Sequence, residues 1–167
     1  MDDTLDQLQA YVAANPERAF FEPPADESAI ASVEQTIGMK LPASYRAFLR
    51  RFNGGFINIC DFGPGDEYWD VKTARWNSNW LFGTADLVKE YDRARSIGGW
   101  DRIEYIPFAQ TNGQESLVFV PRPDGSEPPV LDAFHETDDW AALYPDFPSM
   151  LRAYVERQGD IEAIASG

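Results

Sequence analysis

The side chains that could do chemistry in this sequence are few. His135 is the only histidine and Cys60 the only cysteine. A Cys60 nucleophile with His135 as its base is conceivable on residue type alone. Cys60, however, closes an apolar run, Phe56-Ile57-Asn58-Ile59, where an inert buried thiol is the commoner outcome. His135 stands beside Glu136 at the end of an expected strand and reads as a surface residue. One histidine and one cysteine do not make a structural zinc site. The acidic stretch Asp61 to Asp70 lacks the ligand spacing of a calcium loop. Gly63-Pro64-Gly65 is not a dinucleotide or phosphate loop, and there is no nucleophile elbow or Walker lysine. Paired acids such as Asp66-Glu67 and Asp138-Asp139 read as solvated loop residues, because sequence distance does not define a carboxylate pair. No catalytic residue, metal ligand or cofactor is expected. Trp69, Trp76, Trp80, Trp100 and Trp140 either line a ligand groove or, more commonly for large aromatics, form the framework of the core.

Charge bounds the partners. The 167 residues carry 28 acids and 14 bases, a net charge of −14. Phosphate binding needs Lys and Arg to displace counterions, so direct nucleic-acid binding is not expected, nor attraction to an anionic membrane. The imbalance is uneven: residues 1–103 hold 16 acids and 11 bases, residues 104–167 hold 12 acids and 3 bases. A basic protein would be steered toward the C-terminal part. An acidic surface that serves only solubility is the plain alternative. With 44% hydrophobic and 14% aromatic residues the chain is not intrinsically disordered. No apolar run of about eighteen residues occurs, so no membrane-spanning helix is expected. The acidic start Met1-Asp2-Asp3 does not resemble a secretory signal, and a cytoplasmic location is expected.

The elements that must position these residues follow from periodicity. Leu5, Leu8 and Val12 recur at helical spacing up to Asn15-Pro16. Residues 16–27, with three prolines, read as a linker. Ile30, Val33 and Ile37 predict a second helix beginning near Asp26 to Ser28, with Gly38 as a left-handed stop. Tyr45, Phe48, Leu49 and Phe52 predict a third after Leu41-Pro42, with Arg46, Arg50 and Arg51 on its other face pairing with local acids. Asn53-Gly54-Gly55 ends it. Residues 56–60 predict a strand, Asp61 to Asp70 a loop, and residues 71–82, with Trp76 and Trp80, include one further strand. A helix runs from a Thr84 cap to about Arg95. Residues 105–109 and 116–120 flank Asn112-Gly113 as a hairpin, with Pro107 at an edge or bulge. Residues 130–134 predict the last strand, and a helix starts near Pro148 with Met150, Leu151, Tyr154 and Val155 inward. Hairpin-linked strands with helices toward the chain ends predict an α+β domain with an antiparallel sheet.

The run Glu27-Ser28-Ala29-Ile30, Val33-Glu34, Ile37-Gly38, Leu41-Pro42, Tyr45, Phe48-Leu49 and Asn53-Gly54-Gly55 resembles the opening signature of the SUKH superfamily, the Smi/Knr-type group. Ile106-Pro107-Phe108-Ala109, Asn112-Gly113 and Leu117 are similar to its central hairpin. Pro128-Pro129-Val130 and the Trp140 to Tyr154 region resemble its C-terminal part. The resemblance implies a single α+β domain, an antiparallel sheet flanked by helices, and no catalytic motif. It also implies a protein-binding role: bacterial members resemble immunity proteins that bind cognate toxins, many of them nucleases. Regulators of the fungal cell-wall type, binding a cellular partner, are the alternative. The chain divides on this reading into an N-terminal helix and linker over 1–25, a SUKH-like domain over 26–157 and a C-terminal tail over 158–167. The partner-binding candidates, chosen on charge and aromatic content, are Glu136, Asp138, Asp139 and Asp146 with Trp140 as anchor. Asp61, Asp66 and Glu67 form a second acidic loop.

Overall fold

The computed structural model describes residues 1–67, 69–97, 104–133 and 140–161. The described chain holds six helices and seven strands, and the strands form one antiparallel sheet in the order β1 to β7, each paired with its sequence neighbour. The expected fold class, a single α+β domain with an antiparallel sheet, is the observed one.

α1 (Asp2–Ala14) ends at Asn15 and buries Leu5 and Leu8 in the main core. Residues 16–27 are not only a linker: β1 (Ala19–Phe21) lies within them and pairs with β2 (Gly55–Ile57). α2 (Glu27–Ile37) starts from an Asp26 cap whose carboxylate accepts the Ala29 N–H at 2.7 Å, and it stops at Gly38 in left-handed geometry, φ 72°. α3 (Ala43–Leu49) follows Pro42. Its first turn is capped from far along the chain, because Glu127 accepts both the Ser44 N–H (2.8 Å) and the Ser44 hydroxyl (2.7 Å). Tyr45, Phe48 and Leu49 are fully buried, as their spacing predicts. The opposite face carries the expected ion pairs: Arg46 with Glu27 and Glu34, Arg50 with Glu27, and Arg51 with Asp6.

Residues 71–82 include the one expected strand, and a short helix that the sequence did not predict precedes it. They form a short helix, α4 (Val71–Trp76), capped by Asp70 onto the Thr73 N–H, and then β3 (Trp80–Leu81). α5 (Thr84–Ile97) opens with a cap from outside, the Asn53 side-chain oxygen accepting the Thr84 N–H at 2.8 Å. β4 (Ile106–Gln110) and β5 (Ser116–Phe119) form the expected hairpin, and the register shifts between Pro107 and Ala109, a bulge that tolerates the missing proline N–H. β6 (Val130–Ala133) is not the last strand. β7 (Ala141–Tyr144) follows and closes the other edge of the sheet. α6 (Phe147–Glu156) then packs on α1.

The core joins helices to sheet mostly through aromatic rings. Tyr45 meets Phe108, Phe119 and Phe147 edge to face, and Phe108 stacks on Phe119 at 3.9 Å. The buried hydroxyls of Tyr45 and Tyr154 are satisfied. Tyr45 donates to the Phe82 carbonyl at 2.6 Å. Tyr154 accepts the Ile57 N–H (2.8 Å) and donates to the Asn79 carbonyl (2.9 Å), pinning α6 to β2 and to the residue just before β3. Ile161, in the segment expected as a tail, is 2% exposed and belongs to this core.

Candidate partner-binding surfaces

The second acidic group lies on the loop after β2. Asn58 shapes its start: its amide donates to the Phe62 carbonyl at 2.7 Å, and its side-chain oxygen accepts the Cys60 N–H at 3.0 Å. Asp66 folds the next turn by accepting the Gly63 N–H at 2.6 Å. Asp61, Asp66 and Glu67 are all exposed. Cys60 follows β2 rather than ending it, and is half-buried. Burial raises its thiol above the usual range, and the Asp61 charge adds to that, so the group is protonated at neutral pH.

The first group is divided differently. Glu136, Asp138 and Asp139, with His135, lie outside the described residues. Asp146 caps α6, accepting the Ser149 N–H at 2.8 Å. Trp140 is half-buried and meets Tyr105 edge to face at 5.2 Å, against a small cluster of Tyr105, Val118 and Ala133. Trp140 and Asp146 flank β7, whereas Asp61, Asp66 and Glu67 follow β2, five positions away in the sheet order. Neighbouring strands are spaced about 4.8 Å, so the two groups occupy separate parts of the surface. The tryptophans do not share one groove either. Trp69 packs on Phe20 and Phe62, Trp76 is 49% exposed on α4, and Trp100 is outside the described residues.

Sequence reasoning missed a cleft of about 660 Å³ between α4 and the start of α5. Phe20, Phe56, Val71 and Trp80 supply its apolar lining, with Lys72 and Arg75 on the α4 side and Glu22 and Asp86 among its other lining residues. The Arg75 guanidinium sits 4.1 Å from the centre of the Trp80 ring. Val71 and Trp76, the large apolar side chains most exposed among the described residues, are both on α4. Asp86 accepts the Gly83 N–H at 3.3 Å, as the third residue of a helix does in a capping box. It has no ion-pair partner among the described residues. Burial raises its carboxyl above the usual range, and the Gly83 N–H and the Arg75 and Lys89 charges oppose this without outweighing it. The one sequence signal was its place three residues after Gly83, which marks a helix start and says nothing of partial burial.

Among the described residues, no group of three or more His, Cys, Asp or Glu is placed to hold a metal ion, and no helix is long and apolar enough to cross a membrane. The described elements define an α+β domain with one antiparallel sheet. The chain belongs to the SMI1 / KNR4 family (SUKH-1), whose model matches residues 24–153. A comparison with curated proteins finds no match. The stretches that carried the resemblance are structural here. Ile30, Val33, Tyr45, Phe48 and Leu49 are core, Gly38 is a helix stop, and Asn53-Gly54-Gly55 is a close crossing of backbones.

Proposed function

We propose that this protein is a non-enzymatic binding module that neutralises a cognate basic toxin, as an immunity protein does. The observation that carries the reading is the net charge of −14 on a chain of this family. A nuclease must attract phosphate and therefore presents a basic surface, and an acidic protein competes for that surface without chemistry. Electrostatic steering raises association rates to about 10⁸ M⁻¹s⁻¹ at low salt, which favours capture of the toxin before it reaches its substrate. Asp61, Asp66 and Glu67 are exposed on a loop that buries little of itself and are accessible to such a partner. Trp140, with Asp146, Glu136, Asp138 and Asp139, forms the second proposed contact region.

The test is co-expression with the product of the adjacent gene. The expected result is restored growth and a complex that co-elutes on gel filtration, with an association rate that falls steeply as salt rises. Absence of both rescue and complex overturns the reading.

A further inference from the structure

We propose that the cleft between α4 and α5 is a socket for an arginine side chain of the protein partner, with Asp86 as the carboxylate that receives it. The inference rests on the reading of this chain as a binder of a basic protein and adds where and how one contact is made.

Three observations converge. Asp86 lines a cleft of about 660 Å³, is partly buried, and among the described residues has as its hydrogen-bond donor only the Gly83 N–H at 3.3 Å, long for a charge-assisted bond. A carboxylate partly removed from water with no ion pair among the described residues is costly, the Arg75 and Lys89 charges oppose that cost only in part, and an incoming guanidinium relieves it. The lining is suited to the stem and plane of arginine, since Phe20, Phe56 and Trp80 are aromatic and Trp80 already holds one guanidinium, that of Arg75. The sign of the occupant follows from the molecule. Glu22 is a second acid of the lining, and the net charge of −14 draws cations. Of the two bases that also line the cleft, Arg75 is stacked on Trp80, and Lys72 is exposed on α4. Neither forms an ion pair with Asp86.

The experiment is an amide NMR titration of the full chain with N-acetyl-arginine amide, and with N-acetyl-citrulline amide as its uncharged counterpart. Saturable shifts at Gly83, Thr84, Ala85 and the Trp80 side-chain N–H are expected with the arginine compound only, and Asp86→Asn abolishes them. Because Asn keeps an acceptor for Gly83 and removes the unpaired charge, the variant melts at a higher temperature than the parent. A residue that served stability alone would do the opposite. In the same series, Asp86→Asn weakens binding of the toxin about tenfold or more. Shifts that are absent, scattered over the surface, or unchanged in Asp86→Asn overturn the socket. A toxin complex that forms equally well with Asp86→Asn also overturns it while leaving the proposed function standing. A wild-type protein that binds no toxin defeats that function, and the arginine titration still decides the socket.

Discussion

Gly83 lies against Asn53 with no room for a side chain between them. A Cβ on Gly83 would stand 2.1 Å from the Asn53 carbonyl oxygen, and one on Gly54 would stand 2.3 Å from the Gly83 nitrogen. The same Asn53 caps α5 through the Thr84 N–H. The turn that ends α3 and the turn that starts α5 are therefore a single crossing of two backbones, and that crossing forms one end of the cleft.

Gly83→Ala is accordingly destabilising by about 3 kcal/mol, the upper part of the range for overpacking, because the obstructing atoms are backbone and cannot rotate away. Gly63→Ala is the control. A Cβ there meets nothing within 4 Å and the backbone is not left-handed, so the change is neutral or stabilises by about 0.5 kcal/mol through the unfolded chain. Urea denaturation of both variants checks the contrast, and equal effects would remove the steric account of Asn53-Gly54-Gly55.

The β4–β5 hairpin separates what the sequence conveys from what it hides. Asn112-Gly113 marked the place of the turn correctly. The turn itself is one residue longer than the two-residue type that this dipeptide favours. Thr111 pairs with Glu115, the Gln114 N–H donates to the Thr111 carbonyl at 2.9 Å, and Gln114, not Gly113, takes the left-handed conformation at φ 67°. Gln114→Gly is expected to stabilise the protein by about 1 kcal/mol by relieving that conformation. A rise in the denaturation midpoint with an unchanged slope is the measurement.

Long periodic segments were legible for the same reason that they are stable: the stripes Ile30, Val33, Ile37 and Tyr45, Phe48, Leu49 bury whole faces. The elements that escaped are short. β1 has three residues and β3 two, and both owe their existence to partners far along the chain rather than to their own pattern. α4 buries only Ala74 completely and so has no apolar stripe to read. The candidate surface was less legible still. Charge picked out Asp146, but geometry commits its carboxylate to capping α6. Asp86 stood out in no charge count, because what marks it is partial burial with no ion pair among the described residues, a property of the folded chain alone.

Glu34 supplies the last prediction, a dependence on pH. Its side chain is 3% exposed, with Arg46 at 2.6 Å, Lys40 at 2.8 Å and the Leu41 N–H at 3.0 Å. Burial alone would raise its carboxyl. The hydrogen bonds from Arg46, Lys40 and Leu41, with the Arg46 charge, outweigh burial and hold it below the ordinary 4.5. The unfolded chain thus binds this proton more tightly than the folded one. The stabilisation is complete above the unfolded value and drains away as pH falls through the lowered folded value. Asp86 acts in the opposite sense, since its raised carboxyl favours the folded state as pH falls toward its ordinary 3.8. Asp26, Glu27, Asp70 and Asp124 are lowered as Glu34 is, so the acid limb of the whole protein does not isolate one group. The difference between wild type and Glu34→Gln does. At neutral pH the variant leaves Arg46 with Glu27 alone and is less stable by about 2 kcal/mol, below the range for a fully buried pair because Arg46 keeps one partner. As the pH drops below about 4.5, wild-type Glu34 takes up its proton and the gap closes. Urea melts across that interval measure it directly. A gap that stays constant would mean that the ionised carboxylate is not what binds Arg46, Lys40 and Leu41 together.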